Sequence, residues 1–466
     1  MERNEMSNDL FLSPLHFTDS CNLPEPETVK IYDSTLRDGE QMPGVAMSPE
    51  QKYLIAEELS ILGCHIIDVG FPAVSRTESK SLQLILDGKY RGRIREDLEI
   101  LVMCRAVMKD IDATIAAIEQ TGFSPGDVTF LLFTSASPLH IKYKLGPSLL
   151  RHAGLPDDRL EEMPYSFFHE GNKTMVSEAV RYARERGVRK IESGAEDASR
   201  TPIDLLVDLS RAAVDAGAHR WVFADTTGSL TPEATRVYCE ALTEHLPHSE
   251  RASHFHNDFG LATANVITGI LNGFPIFSTT INGIGERAGN AALHSVVASL
   301  KYLYGLEIPG FQYDRLCHIK KVVEDISGIP VPAQEPVVGY NAFSHESGIH
   351  THGVSIARQM YEPIPFEEVG GTPRFIYGKH SGLNSIFNLL TLHSDYIGVE
   401  ITRDLALDVL REVKQVRERA AEWPNTSVAI RSFYDNLGRL GLSEGDVLDL
   451  AKRCAGTMRR GSGAAD

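Results

Sequence analysis

Between Val29 and Ile281 this chain alternates eight short β-rich runs with stretches of helical pattern, and that alternation constrains its fold more than any other feature. The runs are Val29–Tyr32, His65–Val69, Leu98–Met103, Val128–Phe133, Arg189–Ser193, Trp221–Ala224, Ala252–His256 and Phe277–Ile281. Several are apolar on both parities, as strands covered on both faces are. The helical stretches carry start signals: Ser48-Pro49-Glu50-Gln51, Thr201-Pro202-Ile203-Asp204 and Thr231-Pro232-Glu233 each read as cap, proline, then acid. Eight such units predict an α/β chain built on a (β/α)8 TIM barrel over residues 28–304. An open doubly wound sheet is the rival, but it would carry a glycine-rich turn after its first strand. That turn here is Arg37-Asp38-Gly39-Glu40, which suits a charged site.

Beyond the barrel the pattern changes at Ile308-Pro309-Gly310. Residues 305–385 are rich in glycine, proline and histidine and are expected to form small linker subdomains. A helical C-terminal region is expected over 386–455, with Leu405–Ala421 amphipathic, and flexible ends at 1–27 and 456–466. The insert from Thr134 to Asn172 is expected to be partly irregular and near the barrel mouth. A net charge of −17 argues against a nucleic-acid partner and suits a solvated surface. Six scattered cysteines without a CxxC pair point to a reducing, cytoplasmic setting, with Cys64 and Cys104 as buried thiols. The N-terminus lacks a signal-peptide pattern, and no apolar run is long enough to predict a membrane span.

Catalytic groups in such barrels stand at the C-terminal ends of the strands. That rule gathers Asp38 after the first strand, His140 after the fourth, Glu196 and Asp197 after the fifth, Asp225 and Thr226 after the sixth, His254 and His256 on the seventh, and Asn290 after the eighth. His254 and His256 are two apart, so a strand puts both on one face. With Asp38 they make a three-ligand site for a divalent cation; Asn290 can add an oxygen, and positions stay open for substrate. The alternative is a pair of hydrogen-bonded polar core residues. Arg37 can hold a carboxylate or a developing oxyanion; the alternative is a structural ion pair with Asp68 or Glu196. The loop Gly283-x-Gly285-x-x-x-Gly289 can offer backbone N–H groups to a cofactor phosphate, or can be a tight turn that needs positive φ.

Nine motifs then stand in one order: DSTLRDGEQMPGV (Asp33–Val45), VGFPAVS (Val69–Ser75), SPLHIKYKL (Ser137–Leu145), EDASRT (Glu196–Thr201), ADTTG (Ala224–Gly228), HFHNDFGLATAN (His254–Asn265), NGIGERAGNAAL (Asn282–Leu293), NAFSHESGIHTHGV (Asn341–Val354) and GKHSG (Gly378–Gly382). In these the chain resembles the 2-isopropylmalate synthase and homocitrate synthase family of metal-dependent TIM-barrel Claisen-condensing enzymes. The resemblance implies an acyltransferase that joins acetyl-CoA to a 2-oxo acid and then hydrolyses the thioester to give a 2-substituted malate. It implies a cation (Mg, Mn or Zn) at Asp38, His254, His256 and Asn290, with Arg37 stabilising the ketone oxygen and Thr226 on the keto-acid carboxylate. Gln41 and His140 join Thr226 as expected substrate contacts. Glu196, or the pair His350 and Tyr361, is the candidate base. His350 and Tyr361 match residues that the family lends across a homodimer to the partner's active site.

Three departures bear on specificity. Gly194 replaces the family's usual serine near the keto-acid side chain. Asp38 is as in isopropylmalate synthases, where homocitrate synthases often have glutamate. The leucine-sensing domain of isopropylmalate synthases has no counterpart here, so no feedback through it is expected. A specialised synthase taking a phosphonate or phosphinate 2-oxo acid such as phosphonopyruvate is one alternative. A carbon–carbon lyase of the hydroxymethylglutaryl-CoA lyase type is another, although that type uses a loop cysteine where this chain has Asn290. A non-catalytic regulatory relative is a third, and the intact ligand set argues against it.

Overall fold

The computed structural model describes residues 21–420. Eight parallel strands close into a barrel in sequence order: β1 (Lys30–Asp33), β2 (Ile66–Asp68), β3 (Glu99–Arg105), β4 (Thr129–Ser135), β5 (Lys190–Glu196), β6 (Arg220–Asp225), β7 (Glu250–Phe255) and β8 (Ile276–Thr279). Closure is made by β1 against β8, with Lys30 to Asp33 in register with Ile276 to Thr279. The eight expected runs coincide with these strands, and the (β/α)8 barrel is borne out.

Alternation along the strands sorts the side chains into two cores. Tyr32, Ile66, Leu101, Leu131, Val222, Ala252 and Ile276 fill the barrel interior. Ile31, Ile67, Phe130, Trp221, Phe223 and Phe277 face outward into the larger core beneath the helices. Below the interior layer the strand starts are charged. Arg220 is fully buried, with Nε 2.7 Å from Oε2 of Glu192 and a second ion pair to Glu99, and Lys30 pairs with Glu250 at 2.7 Å. The interior is therefore filled from below, and open space remains only toward the strand C-termini.

The caps explain the helix starts unevenly. Ser48 makes a full capping box with Gln51 at helix Pro49–Leu62, and Thr231 caps Pro232–His245. Thr201 does not cap as expected: its hydroxyl donates to the carbonyl of Asp197, and helix Ile203–Ala216 starts without a side-chain cap. The insert after β4 is more helical than expected. Pro138–His140, Ile141–Leu145, Gly146–His152 and Asp157–Glu161 are consecutive helical turns ahead of helix Tyr165–Glu185. Ile141, Leu149, Leu150 and Phe168 give this insert its own small core, which no linear periodicity announced.

The barrel's core continues past Tyr304, through Ile308, Phe311, Leu316, Ile319 and Val323. Two short parallel strands follow, β9 (Ser344–His345) and β10 (Arg374–Phe375), with helix Gly348–Ile356 between them. Helix Leu383–Leu392 packs on helix Arg403–Ala420 through Ile386, Ala406 and Leu410. The flexible ends expected at 1–27 and 456–466 fall outside the described residues except for 21–27, as does the helical reading from 421 to 455. Cys64 and Cys104 are buried. Among the described residues no helix is long and apolar enough to cross a membrane.

Candidate active site

Asp38 lies in the turn that leaves β1, and His254 is the penultimate residue of β7. His256 stands one residue beyond β7, where a bridge to Asn290 ties its backbone to the loop after β8. Nε2 of His254 and Nε2 of His256 are 3.4 and 3.7 Å from Oδ2 of Asp38, and 3.3 Å from each other. Asn290 donates its amide to Oδ1 of Asp38 at 3.0 Å and to the Ile284 carbonyl at 3.2 Å. Its own Oδ1 is buried without a hydrogen-bond partner. A buried amide oxygen left unpaired is costly, and a cation beside it would satisfy it. Burial opposes the charged form of Asp38, but Arg37 and the two imidazoles outweigh it and hold the carboxyl well below the usual carboxylate range. Burial, with His254 close by, lowers His256 to about 4, so this imidazole is neutral and free to ligate. One carboxylate, two imidazoles and an orphaned amide oxygen fit a divalent cation.

The sequence reading missed the residues that aim these ligands. Nδ1 of His254 bonds the hydroxyl of Ser278 at 3.0 Å, and Ser278 bonds Ser34 at 3.0 Å. Holding Nδ1 in this way turns Nε2 toward Asp38. Parity along β8 could have flagged Ser278, a polar residue whose strand neighbours Phe277 and Thr279 point the other way.

Arg37 makes the ion pair with Asp68 that one of its readings expected, and it also faces the cavity. Nε pairs with Asp68 at 2.7 Å and Nη1 with Asp38 at 2.9 Å, which engages two of the five guanidinium donors. The side chain also lines a cavity of about 390 Å³ at the barrel mouth, shared with Asp38, Gln41, Lys144, Glu196, Thr226, His254, His256 and Arg287. Thr226 Oγ accepts the Asp197 N–H at 2.8 Å, so its own O–H is left to donate. Glu196 ends β5, and its Oε2 accepts Ser135 at 2.8 Å and the Lys144 ammonium. His140 does not line this cavity: it lies behind Glu196, 3.9 Å from its carboxylate and 3.7 Å from that of Asp197. Lys144, one helical turn on in the same motif, does line it.

The glycine loop after β8 is a tight turn. Gly283, Gly285 and Gly289 all have positive φ. The N–H of Gly283 goes to Thr280 and that of Gly289 to Glu286, so two of the three donors expected to cradle a cofactor phosphate are spent inside the loop. A Cβ on Gly285 would lie 2.1 Å from Nδ2 of Asn290 and 2.8 Å from Oδ1 of Asp38, so the bare backbone makes room for the ligand cluster. In the same loop Arg287 clamps Asp258 through two bonds of 2.9 and 2.8 Å and donates to the Thr226 carbonyl at 2.6 Å.

An ion triad around one buried lysine braces the first two loops. The Lys52 ammonium, fully buried on helix Pro49–Leu62, lies 2.6 Å from Glu40 and 2.5 Å from Glu78. Glu40 also accepts the Met47 N–H, and Glu78 accepts the Phe71 N–H. His350 and Tyr361 stand outside the cavity of their own chain, their rings stacked with centroids 4.2 Å apart.

A closed parallel barrel with a carboxylate–imidazole cluster at its C-terminal mouth defines a class, the (β/α)8 barrels with a candidate cation site inside the ring. The family follows from comparison. The HMGL-like family model matches residues 28–155 and 168–323, and a homocitrate synthase post-HMGL domain-like model matches 337–421. Homocitrate synthase AksA of Methanocaldococcus jannaschii is 39% identical over 390 residues, 84% of this chain and 86% of that protein. The 2-isopropylmalate synthase of Sulfurisphaera tokodaii is 38% identical over 401 residues, 86% and 94% of the two chains. The chain belongs to the HMGL-like family, among its 2-isopropylmalate and homocitrate synthases. A crystal structure of hydroxymethylglutaryl-CoA lyase from Pseudomonas aeruginosa aligns with a TM-score of 0.51 at 20% identity, covering 67% of this chain and 97% of that one; this likeness is one of fold.

Proposed function

We propose that this chain is a metal-dependent acyltransferase that condenses acetyl-CoA with a 2-oxo acid and hydrolyses the thioester, releasing coenzyme A and a 2-substituted malate. The observation that carries the reading is the convergence of Asp38, His254 and His256 beside Arg37 in one cavity. Relatives that match most of the chain bear the names homocitrate synthase and 2-isopropylmalate synthase, which supports it.

Asp38, His254, His256 and Asn290 would hold a divalent cation, whose chemistry when bound is Lewis-acid polarisation of a ketone. The Thr226 hydroxyl donates to the carboxylate of the 2-oxo acid. A base removes a proton from the acetyl methyl group; Glu196 is the candidate within the chain, and His350 with Tyr361 is the candidate from a second subunit. The methyl carbon then bonds to the ketone carbon, and the ketone oxygen becomes an alkoxide that takes up a proton. The free donors of the Arg37 guanidinium stabilise that developing charge. Water finally adds to the thioester, the C–S bond breaks, and the thiol leaves as the new carboxylate forms. Loop Gly283–Asn290 has no cysteine, which disfavours the lyase alternative. The test is free-thiol release from acetyl-CoA with a panel of 2-oxo acids; no release with any acid in the presence of Mg, Mn or Zn would defeat the proposal.

A further inference from the structure

The two sides of the cavity differ in chemistry. Strands β1, β7 and β8 are neighbours on one side of the ring and bring Arg37, Asp38, His254, His256 and Ser278. Strands β3 to β6 form the opposite side and bring Met103, Leu131, Phe133, Gly194, Val222 and Ala224, with Lys144, Glu196 and Thr226 beyond them toward the strand C-termini. A 2-oxo acid held by its ketone on the polar side and by its carboxylate at Thr226 has the apolar residues of β3 to β6 left to receive its side chain. Every arginine or lysine on the cavity wall already has a carboxylate partner: Arg37 has Asp38 and Asp68, Lys144 has Glu196, and Arg287 has Asp258. The floor is no better for a second negative charge. Tyr32 lines the cavity, and its hydroxyl lies 3.4 Å from a carboxylate oxygen of Glu192, which is itself fully buried. Arg220, beneath the interior layer, is taken up by Glu192 and Glu99. A distal carboxylate or phosphonate would lose its water and meet apolar carbon with an acidic group behind it.

Gly194 stands in the middle of the apolar side, on β5. A Cβ built there would come within 3.0 Å of Cδ1 of Leu131 and stand 3.8 and 3.9 Å from Phe133 and Val222. A side chain there would have to push Leu131 aside, and both residues line the pocket. Its φ is not positive, so a larger residue is opposed by what it touches and not by its backbone.

We infer that this site takes a monocarboxylic 2-oxo acid with an uncharged aliphatic side chain, and that Gly194 sets how large that side chain can be. The inference rests on the condensing reading above. The deciding experiment is calorimetric binding of 2-oxo acids to the Mg-loaded full chain without acetyl-CoA, run beside thiol release with it. 2-Oxoisovalerate and 4-methyl-2-oxopentanoate should bind on the order of a hundredfold more tightly than 2-oxoglutarate or phosphonopyruvate. Gly194→Ala and Gly194→Ser should each weaken 4-methyl-2-oxopentanoate by about tenfold or more while moving pyruvate by less than about threefold. Retained thermal unfolding midpoints would certify that both variants fold. Equal or tighter binding of either dianion, a uniform loss for all acids in the variants, or no binding of any acid would overturn the inference. Binding in the expected order with no thiol release would leave it standing and defeat the condensing reading alone.

Discussion

Oδ2 of Asp38 lies 3.4 Å from Nε2 of His254, although one leaves the first strand of the ring and the other sits on the seventh. His254→Ala removes one of three converging donors. Thiol release should fall below detection, and the metal carried by purified protein should drop, as read by elemental analysis. Full activity in metal-stripped protein would sink the cation reading.

Ser278 touches the ring nitrogen of His254 that faces away from Asp38. Ser278→Ala should weaken metal binding by about 10–100-fold while leaving the unfolding midpoint nearly unchanged. A metal titration followed by calorimetry checks this; unaltered affinity would mean that packing alone orients the imidazole.

His350 and Tyr361 stack on each other and line no part of their own chain's cavity. If two subunits share their sites, His350→Ala and Arg37→Ala proteins, each nearly inactive, should recover activity when mixed. A mixed dimer would keep one site with both residues intact, so recovery approaches about a quarter of the wild-type rate for random exchange into dimers. No recovery after exchange has been verified by mass spectrometry would refute sharing.

Lys52 neutralises two carboxylates from inside the protein. Lys52→Met would leave Glu40 and Glu78 facing each other without a cation, and should cost about 3–5 kcal/mol in urea unfolding. The triple variant Lys52→Met, Glu40→Gln, Glu78→Gln removes the stranded charges and should regain part of that loss. An equal loss in both variants would argue that the lysine stem, not its charge, is what matters.

Asp33 gives a pH prediction. Burial raises its carboxyl from 3.8 to about 7, despite hydrogen bonds from the N–H and hydroxyl of Thr35. Between those two values the folded chain holds a proton that the unfolded chain has released, so stability falls as pH rises. The contribution is complete below about pH 4 and is lost as pH climbs through about 7. Asp33→Asn should flatten the stability profile over that window in denaturant titrations; an unchanged slope would show that another group sets it.

Much of this protein is written locally in its residues. Strand and helix periods are properties of neighbours in the chain, so eight alternating units were enough to announce a closed ring, and the i, i+2 spacing of His254 and His256 was enough to put both imidazoles on one face. What the residues could not declare is who meets whom across the ring. His140 and Lys144 share a motif, yet only packing of the insert after β4 decides that Lys144 reaches the cavity. The glycines of the loop after β8 look like a phosphate cradle until two of their three N–H groups are found bonded to the carbonyls of Thr280 and Glu286. Gly194 is one residue of a strand until the fold sets it on the cavity wall with Leu131 3.0 Å from where a Cβ would stand. The physical reason is the same in each case: a backbone period is set by bonds a few residues long, whereas a free donor, a paired charge or an open space depends on atoms delivered by distant segments.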